Sequence, residues 1–221
     1  MNINDAISQR HSTRAFLNKA VSTDQINRIL DVARYSPSGA NTQPWQVAVV
    51  SGESKIKLQQ LIEQAFKAGI ESQIAYQYYP VTWKAVYKTR RRECGLQLYS
   101  SLNIAKQDTE KRQAQWLANY RAFDAPVMLL FFIDPEMETG SFLDYGMFIQ
   151  SVMLAAMEEG LATCPQAALA EYPDIVKQSL NYNADATLIC GMALGYENIN
   201  ADVNKYRTPR ESVSSFTQYF D

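Results

Sequence analysis

One histidine and three cysteines in 221 residues leave little from which to build a metal centre. Cys94, Cys164 and Cys190 are odd in number and form no CxxC pair, so neither a zinc site nor a disulfide framework is expected. A nucleophile paired with histidine would have to use His11, which stands between Arg10 and Arg14, where neighbouring cations weaken it as a base. The chain has no GxxxxGK(S/T) phosphate loop, and Gly191-Met192-Ala193-Leu194-Gly195 misses the GxGxxG spacing of a dinucleotide fingerprint. No apolar run is long enough for a bilayer span, and Met1-Asn2-Ile3-Asn4-Asp5 lacks the features of a signal peptide, so a cytoplasmic protein is expected. The net charge of −2 offers no general attraction to nucleic acid or membrane, and any working cluster of cations must be local.

Two stretches stand out against these absences. Ser36-Pro37-Ser38-Gly39-Ala40-Asn41-Thr42-Gln43-Pro44-Trp45 is a polar loop fenced by prolines, able to present backbone N–H groups and small hydroxyls to a ligand. Arg10-His11-Ser12-Thr13-Arg14 sets two guanidiniums around a hydroxyl, and Lys205 and Arg207 add cations from the far end of the chain. Together they suit a phosphate carrying a flat conjugated group.

The periodicity predicts helices over Ile3–Gln9 and Ser22–Tyr35, the second opened by a Ser22/Gln25 capping box, and others over 54–68, 96–120, 141–159 and 173–180. Strands are predicted over 45–50, 126–134 and 186–196, the second apolar on both faces and therefore central. Gly160 to Pro165 reads as a turn, and 212–220 has some strand character. Residues 69–120 are rich in aromatics and cations and read as a helical insertion covering a site; Tyr76, Tyr79, Trp83, Arg90, Trp116 and Tyr120 are its candidate substrate lid. The whole is one α+β or three-layer α/β domain, with that insertion and a C-terminal arm over 197–221.

The Arg10–Arg14 and Ser36–Trp45 motifs in tandem, the Gly160–Pro165 turn, and Gly195-Tyr196 followed by Lys205-Tyr206-Arg207-Thr208-Pro209 closely resemble the FMN-dependent nitroreductase family, and Lys88–Leu98 is similar to its nitrobenzene and nitrobenzoate reductase branch. The resemblance implies a three-layer α-β-α sandwich around a mainly antiparallel sheet, in an intertwined homodimer with FMN at the subunit interface. It implies cofactor contacts from Arg10, His11, Ser12, Arg14, Lys205 and Arg207. Pro37, Ser38, Gly39 and Asn41 would come from the other subunit, and the Pro165-Gln166-Ala167-Ala168 turn would bring a backbone N–H to flavin N5. Gln97 is a further candidate for the pyrimidine edge. The implied activity is NAD(P)H-dependent, ping-pong reduction of nitroaromatics and quinones, with no catalytic side chain beyond the flavin and no metal. Dehalogenation or dehydrogenation on the same fold, and a non-catalytic flavin-binding role, stay open.

Overall fold

The computed structural model describes residues 1–220. Its centre is β2 (Val127–Ile133), seven residues that are all buried. Alternation divides them between two cores. Val127, Leu129, Phe131 and Ile133 pack on one side with α2 (Thr23–Ala33) and α6 (Thr139–Glu158). Met128, Leu130 and Phe132 pack on the other with α3 (Gly52–Lys67), α5 (Thr109–Tyr120) and α7 (Pro173–Leu180). The result is a three-layer α-β-α sandwich.

The four strands lie in the order β1-β2-β4-β3, every pair antiparallel, with β1 at Gln46–Ser51, β3 at Ala162–Gln166 and β4 at Thr187–Gly195. The β2–β4 register slips between Phe131, opposite Cys190, and Phe132, opposite Leu188, which leaves Ile189 as a bulge. Its carbonyl turns to a side-chain donor, the Tyr76 hydroxyl, at 2.5 Å.

Several predicted elements form much as written. The Ser22/Gln25 capping box is present at the start of α2, and α1 occupies Ile3–Gln9. Others are corrected. The helix expected over 96–120 is two, α4 (Ala85–Ser101) and α5, because Asn103 adopts a left-handed φ of 53° and the Ile104 N–H closes back on Tyr99. The Gly160–Pro165 turn is mostly strand: Gly160, at φ 69°, ends α6, and β3 begins two residues later. Pro165 is tolerated there because β3 is an edge strand, which spares it a ladder hydrogen bond. Within one chain 212–220 forms no strand, only a short 3-10 turn at Val213–Ser215.

Candidate functional site

The free edge of β3 organises the site. Ser12 bridges to Thr163 in parallel and the Thr13 N–H donates to the Thr163 carbonyl at 3.0 Å, so the N-terminal motif runs beside the strand. Five residues on, the Leu17 N–H donates to the Tyr196 carbonyl, which ties the same segment to the exit of β4. Asn204, 3% exposed, completes the seam: its Oδ1 accepts from the Arg14 N–H at 2.8 Å, and its Nδ2 donates to the carbonyls of Ala15 and Asn198. Nothing in the sequence singles out this asparagine, since its importance lies chiefly in Arg14 and Ala15, two partners distant along the chain.

This seam walls a cleft of about 960 Å³ lined by Arg10, Ser12, Arg14, Tyr206, Arg207 and Arg210, together with His11, Glu197 and Cys94 of α4. Arg14 donates to the Ser12 carbonyl and to the Tyr206 hydroxyl, at 3.2 and 3.3 Å. Arg207 is aimed by bonds to the carbonyls of Asn204 and Tyr206, at 2.7 and 2.9 Å. Glu197, the one carboxylate lining the cleft, is engaged by His11 Nε2 at 2.9 Å. None of Arg10, Arg14, Arg207 and Arg210 has a carboxylate partner among the described residues. Burial first, and then the charge of Arg210, push the Arg10 guanidinium below its ordinary pKa. Such a set is completed by an anion with several oxygens.

At the other end of β3 a second cavity, of about 400 Å³, is lined by Pro165, Gln166 and Ala167 together with Tyr76, Tyr78 and Phe142. Gln166 is 5% exposed; its Nε2 donates to the Asn119 carbonyl at 2.8 Å, and its buried Oε1 has no partner among the described residues. Cys190 also lines this cavity, where burial pushes its thiol up to about 12 and keeps it protonated. Thr163 and Gln166 are three residues apart, about 10 Å of strand at roughly 3.3 Å per residue. Through Ser12, which lines the cleft and bridges to Thr163, the cationic cleft is tied to the strand whose far end lines the aromatic-walled slot. A phosphate joined through a ribityl chain to a planar ring has this form, and the donor set fits FMN.

Other sequence-nominated residues lie elsewhere. Lys205 is 57% exposed and pairs with Asp202 at 2.7 Å instead of lining the cleft. Pro37, Ser38, Gly39 and Asn41 line neither cavity; their loop is fastened to α6 by the Gly39 N–H, which donates to Asp144 Oδ2 at 3.1 Å. Three non-glycine residues of that loop, Ala40, Asn41 and Gln43, hold left-handed φ values of 48–58°. Ala168 packs against the core beside Leu169. Gln97 lines neither cavity, and its buried Oε1 lacks a partner among the described residues.

The candidate lid divides. Tyr76 reaches the second cavity, the rings of Tyr79 and Trp83 meet at a tilt with centroids 5.6 Å apart, and Arg90 pairs with Glu211. Trp116 donates to the Tyr120 hydroxyl at 3.0 Å. Tyr120 is fully buried and donates to Glu171 at 2.6 Å, so it belongs to the core and not to a lid surface.

Comparison with known proteins gives a consistent result. The model of the family described as "Nitroreductase family" matches residues 7–196. The chain is 37% identical to a 4-nitrobenzoate reductase of Pseudomonas putida, over 96% of this chain and 93% of that one, and 33% identical to a nitrobenzene nitroreductase of Ectopseudomonas oleovorans, over 98% and 96%. Among solved structures, an FMN and NADPH-dependent nitroreductase NfnB from a Sphigopyxis strain superposes with a TM-score of 0.97 at 36% identity, covering all of both chains. The FMN-dependent NfnB of Mycobacterium smegmatis, solved with NADPH, gives 0.94 at 31% identity over 99% and 97%.

Proposed function

Since the chain belongs to the nitroreductase family, we propose that it is an NAD(P)H-dependent FMN oxidoreductase that reduces nitroaromatic compounds. The observation that carries this reading is the pairing, on one strand edge, of four guanidiniums lacking carboxylate partners with a flat aromatic slot. FMN held at this site would supply the hydride chemistry between a nicotinamide nucleotide and a nitroaromatic acceptor.

The protein's residues bind, orient and polarise. Arg10, Ser12 and Arg207 hold the phosphate end. Arg14, fixed by Ser12 and Tyr206, would set a positive charge toward the ring end, where it would stabilise negative charge gained on reduction. Gln166 and Ala167, at the end of β3, would form the turn beside the flavin ring, and the Gln166–Asn119 bond fixes that turn against α5. No side chain has to act as acid or base in the hydride step, which accounts for the absence of an acid–base motif; the geometry of the slot supplies orientation.

A homodimer completes the site. Ile7, Val32, Tyr35 and Leu143 are large, apolar and exposed, with Val32, Tyr35 and Leu143 close in sequence to the Ser36–Trp45 loop or to its anchor Asp144. A second copy on this face brings Pro37, Ser38, Gly39 and Asn41 to the cofactor, and the 212–220 arm lies over the partner. Among the described residues no helix is long and apolar enough to cross a membrane. Three free cysteines, Cys94 exposed, suit a reducing cytoplasm.

The test is the visible spectrum of the purified protein during anaerobic addition of NADPH or NADH and then a nitroaromatic. A yellow protein that bleaches with nucleotide and recovers its colour with acceptor is the expected result. A protein that cannot be reconstituted with FMN overturns the reading, and one whose flavin neither nucleotide reduces is a flavin-binding protein without this activity.

A further inference from the structure

The segment that follows β3 is short and firmly seated. Gln166 and Ala167 line the aromatic-walled cavity, and the 3-10 turn Ala167–Ala170 then carries the chain to Glu171, with Leu169 fully buried against Gly191 of β4. Both ends of the segment are held by consecutive residues of α5. The Asn119 carbonyl accepts from Gln166 Nε2 at 2.8 Å, and the Tyr120 hydroxyl donates to Glu171 Oε2 at 2.6 Å. Trp116, one helical turn earlier, donates its indole N–H to the same hydroxyl at 3.0 Å, which leaves the phenol proton for the carboxylate.

The start of the 69–120 stretch reaches the same place. The Gln73 N–H donates to the Glu171 carbonyl at 2.8 Å, and the Tyr172 hydroxyl donates to the Ile70 carbonyl at 3.1 Å. Glu171 is therefore bonded to both ends of that stretch, to its entry through the backbone and to its exit through the side chain. The carboxylate is half-buried and forms no ion pair among the described residues. An uncompensated charge of this kind costs stability, and a neutral side chain would serve better if packing were its whole task. What the carboxylate adds is a stronger and more directional bond, since an ionised acceptor holds a hydroxyl about twice as strongly as a neutral one.

We propose that Glu171 is a positioning residue for the hydride reaction, the clamp that, through Tyr120, holds the flavin-side turn Gln166–Ala167 in place. Glu171 lines neither cavity, so it acts through the turn. The inference rests on the FMN oxidoreductase reading above and assigns a working role to a residue outside the site. With the clamp closed the segment is fixed at both ends. With it open the side-chain hold is left to Gln166 alone, and a small displacement beside a reacting centre is expensive in rate.

The experiment uses the FMN-loaded parent and the variants Y120F and E171Q. Each is read by FMN content, by Tm, by the visible circular dichroism of the bound flavin and by stopped-flow reduction of that flavin with saturating NADPH. E171Q separates positioning from packing, because the amide removes the buried charge while weakening the bond. At pH 8 its Tm is expected to be no lower than the parent's, yet its flavin dichroism changes and its reduction rate constant falls about 5-fold, the difference between a charged and a neutral hydrogen bond. Y120F removes the bond outright and is expected to lower that rate constant about 10- to 100-fold with FMN content unchanged. The proposal is overturned if E171Q keeps both the parent's dichroism and its rate constant, or if its rate falls only together with its Tm, as a purely structural role requires. A parent whose flavin neither NADPH nor NADH reduces fails the redox reading alone, and the dichroism of the two variants then decides the clamp. A parent that takes up no FMN overturns both.

Discussion

The central sheet and the 69–120 insertion are built on opposite plans. β2 buries all seven of its residues, and the alternation of its side chains dictates both helical layers. α4, more than twice as long, buries none. The first is specified by what it excludes from water. The second holds its side chains out, toward cations, rings and two cavities, and packing does not explain its composition. Only where the insertion rejoins the sheet does it turn inward: Tyr120 is fully buried, and Asn119 and Tyr120 bond to Gln166 and Glu171 on either side of the turn after β3.

Substitutions can break this contrast or sharpen it. The largest effect is expected in the frame. Leu130→Ala removes a fully buried side chain from the centre of one core and should cost about 2–5 kcal/mol in urea unfolding. A smaller loss there would mean that the core re-collapses more readily than its packing implies. Gly191→Ala comes next. An added Cβ would stand 2.8 Å from Leu169 Cβ and 3.1 Å from the Leu129 carbonyl, forcing the segment after Gln166 away from the sheet. The expected cost is about 1–3 kcal/mol, with a displaced flavin absorption band as a second readout.

At the junction of the two regions, burial raises the Glu171 carboxyl above its ordinary pKa, only partly opposed by the Tyr120 hydroxyl. A raised folded-state pKa gives stability that is present below the unfolded carboxylate pKa and is lost as pH rises through the folded one. Glu171→Gln removes that penalty while keeping an oxygen for Tyr120. Its Tm should therefore improve relative to the parent as pH goes from 5 to 8, and a pH-independent difference would count against the burial argument. The smallest effect belongs to the insertion. Leu96→Ala, at a side chain 57% exposed, should change stability by no more than about 0.5 kcal/mol, and a larger loss would show that α4 is structural after all.

Much of the frame was legible in the sequence. The apolar run 126–134 announced a strand covered on both faces, and the Ser22/Gln25 box announced α2. β3 was not legible, because Gly160 and Pro165 are turn residues by local preference and only the neighbouring N-terminal segment and β4 make the stretch a strand. The break in the 96–120 helix was missed for a related reason: Asn103 ends a helix only when its backbone enters the left-handed region.

In the site, Arg10, Ser12, Arg14 and Arg207 could be nominated from motif alone, and they meet in one cleft. Lys205 could not be told from them by type, yet it pairs with Asp202, three residues away, before it reaches the cleft. Arg210, the last cation of the 205–210 run, and Asn204 are not nominated by motif, yet one lines the cleft and the other fastens the Arg14 backbone.

The sequence by itself determined the elements whose cause is local: the apolar central strand, the capped helix, the poverty of acid, base and metal chemistry, and the stock of guanidiniums. Tertiary structure alone decided which of those guanidiniums meet without a counter-ion, that an aromatic-walled slot lies at the far end of the strand tied to them through Ser12, and that α4 and α5 enclose a cationic pocket. The physical reason is that residue type and periodicity fix which groups leave water, whereas charge pairing and cavity shape depend on distances between segments that the chain brings together only when it folds.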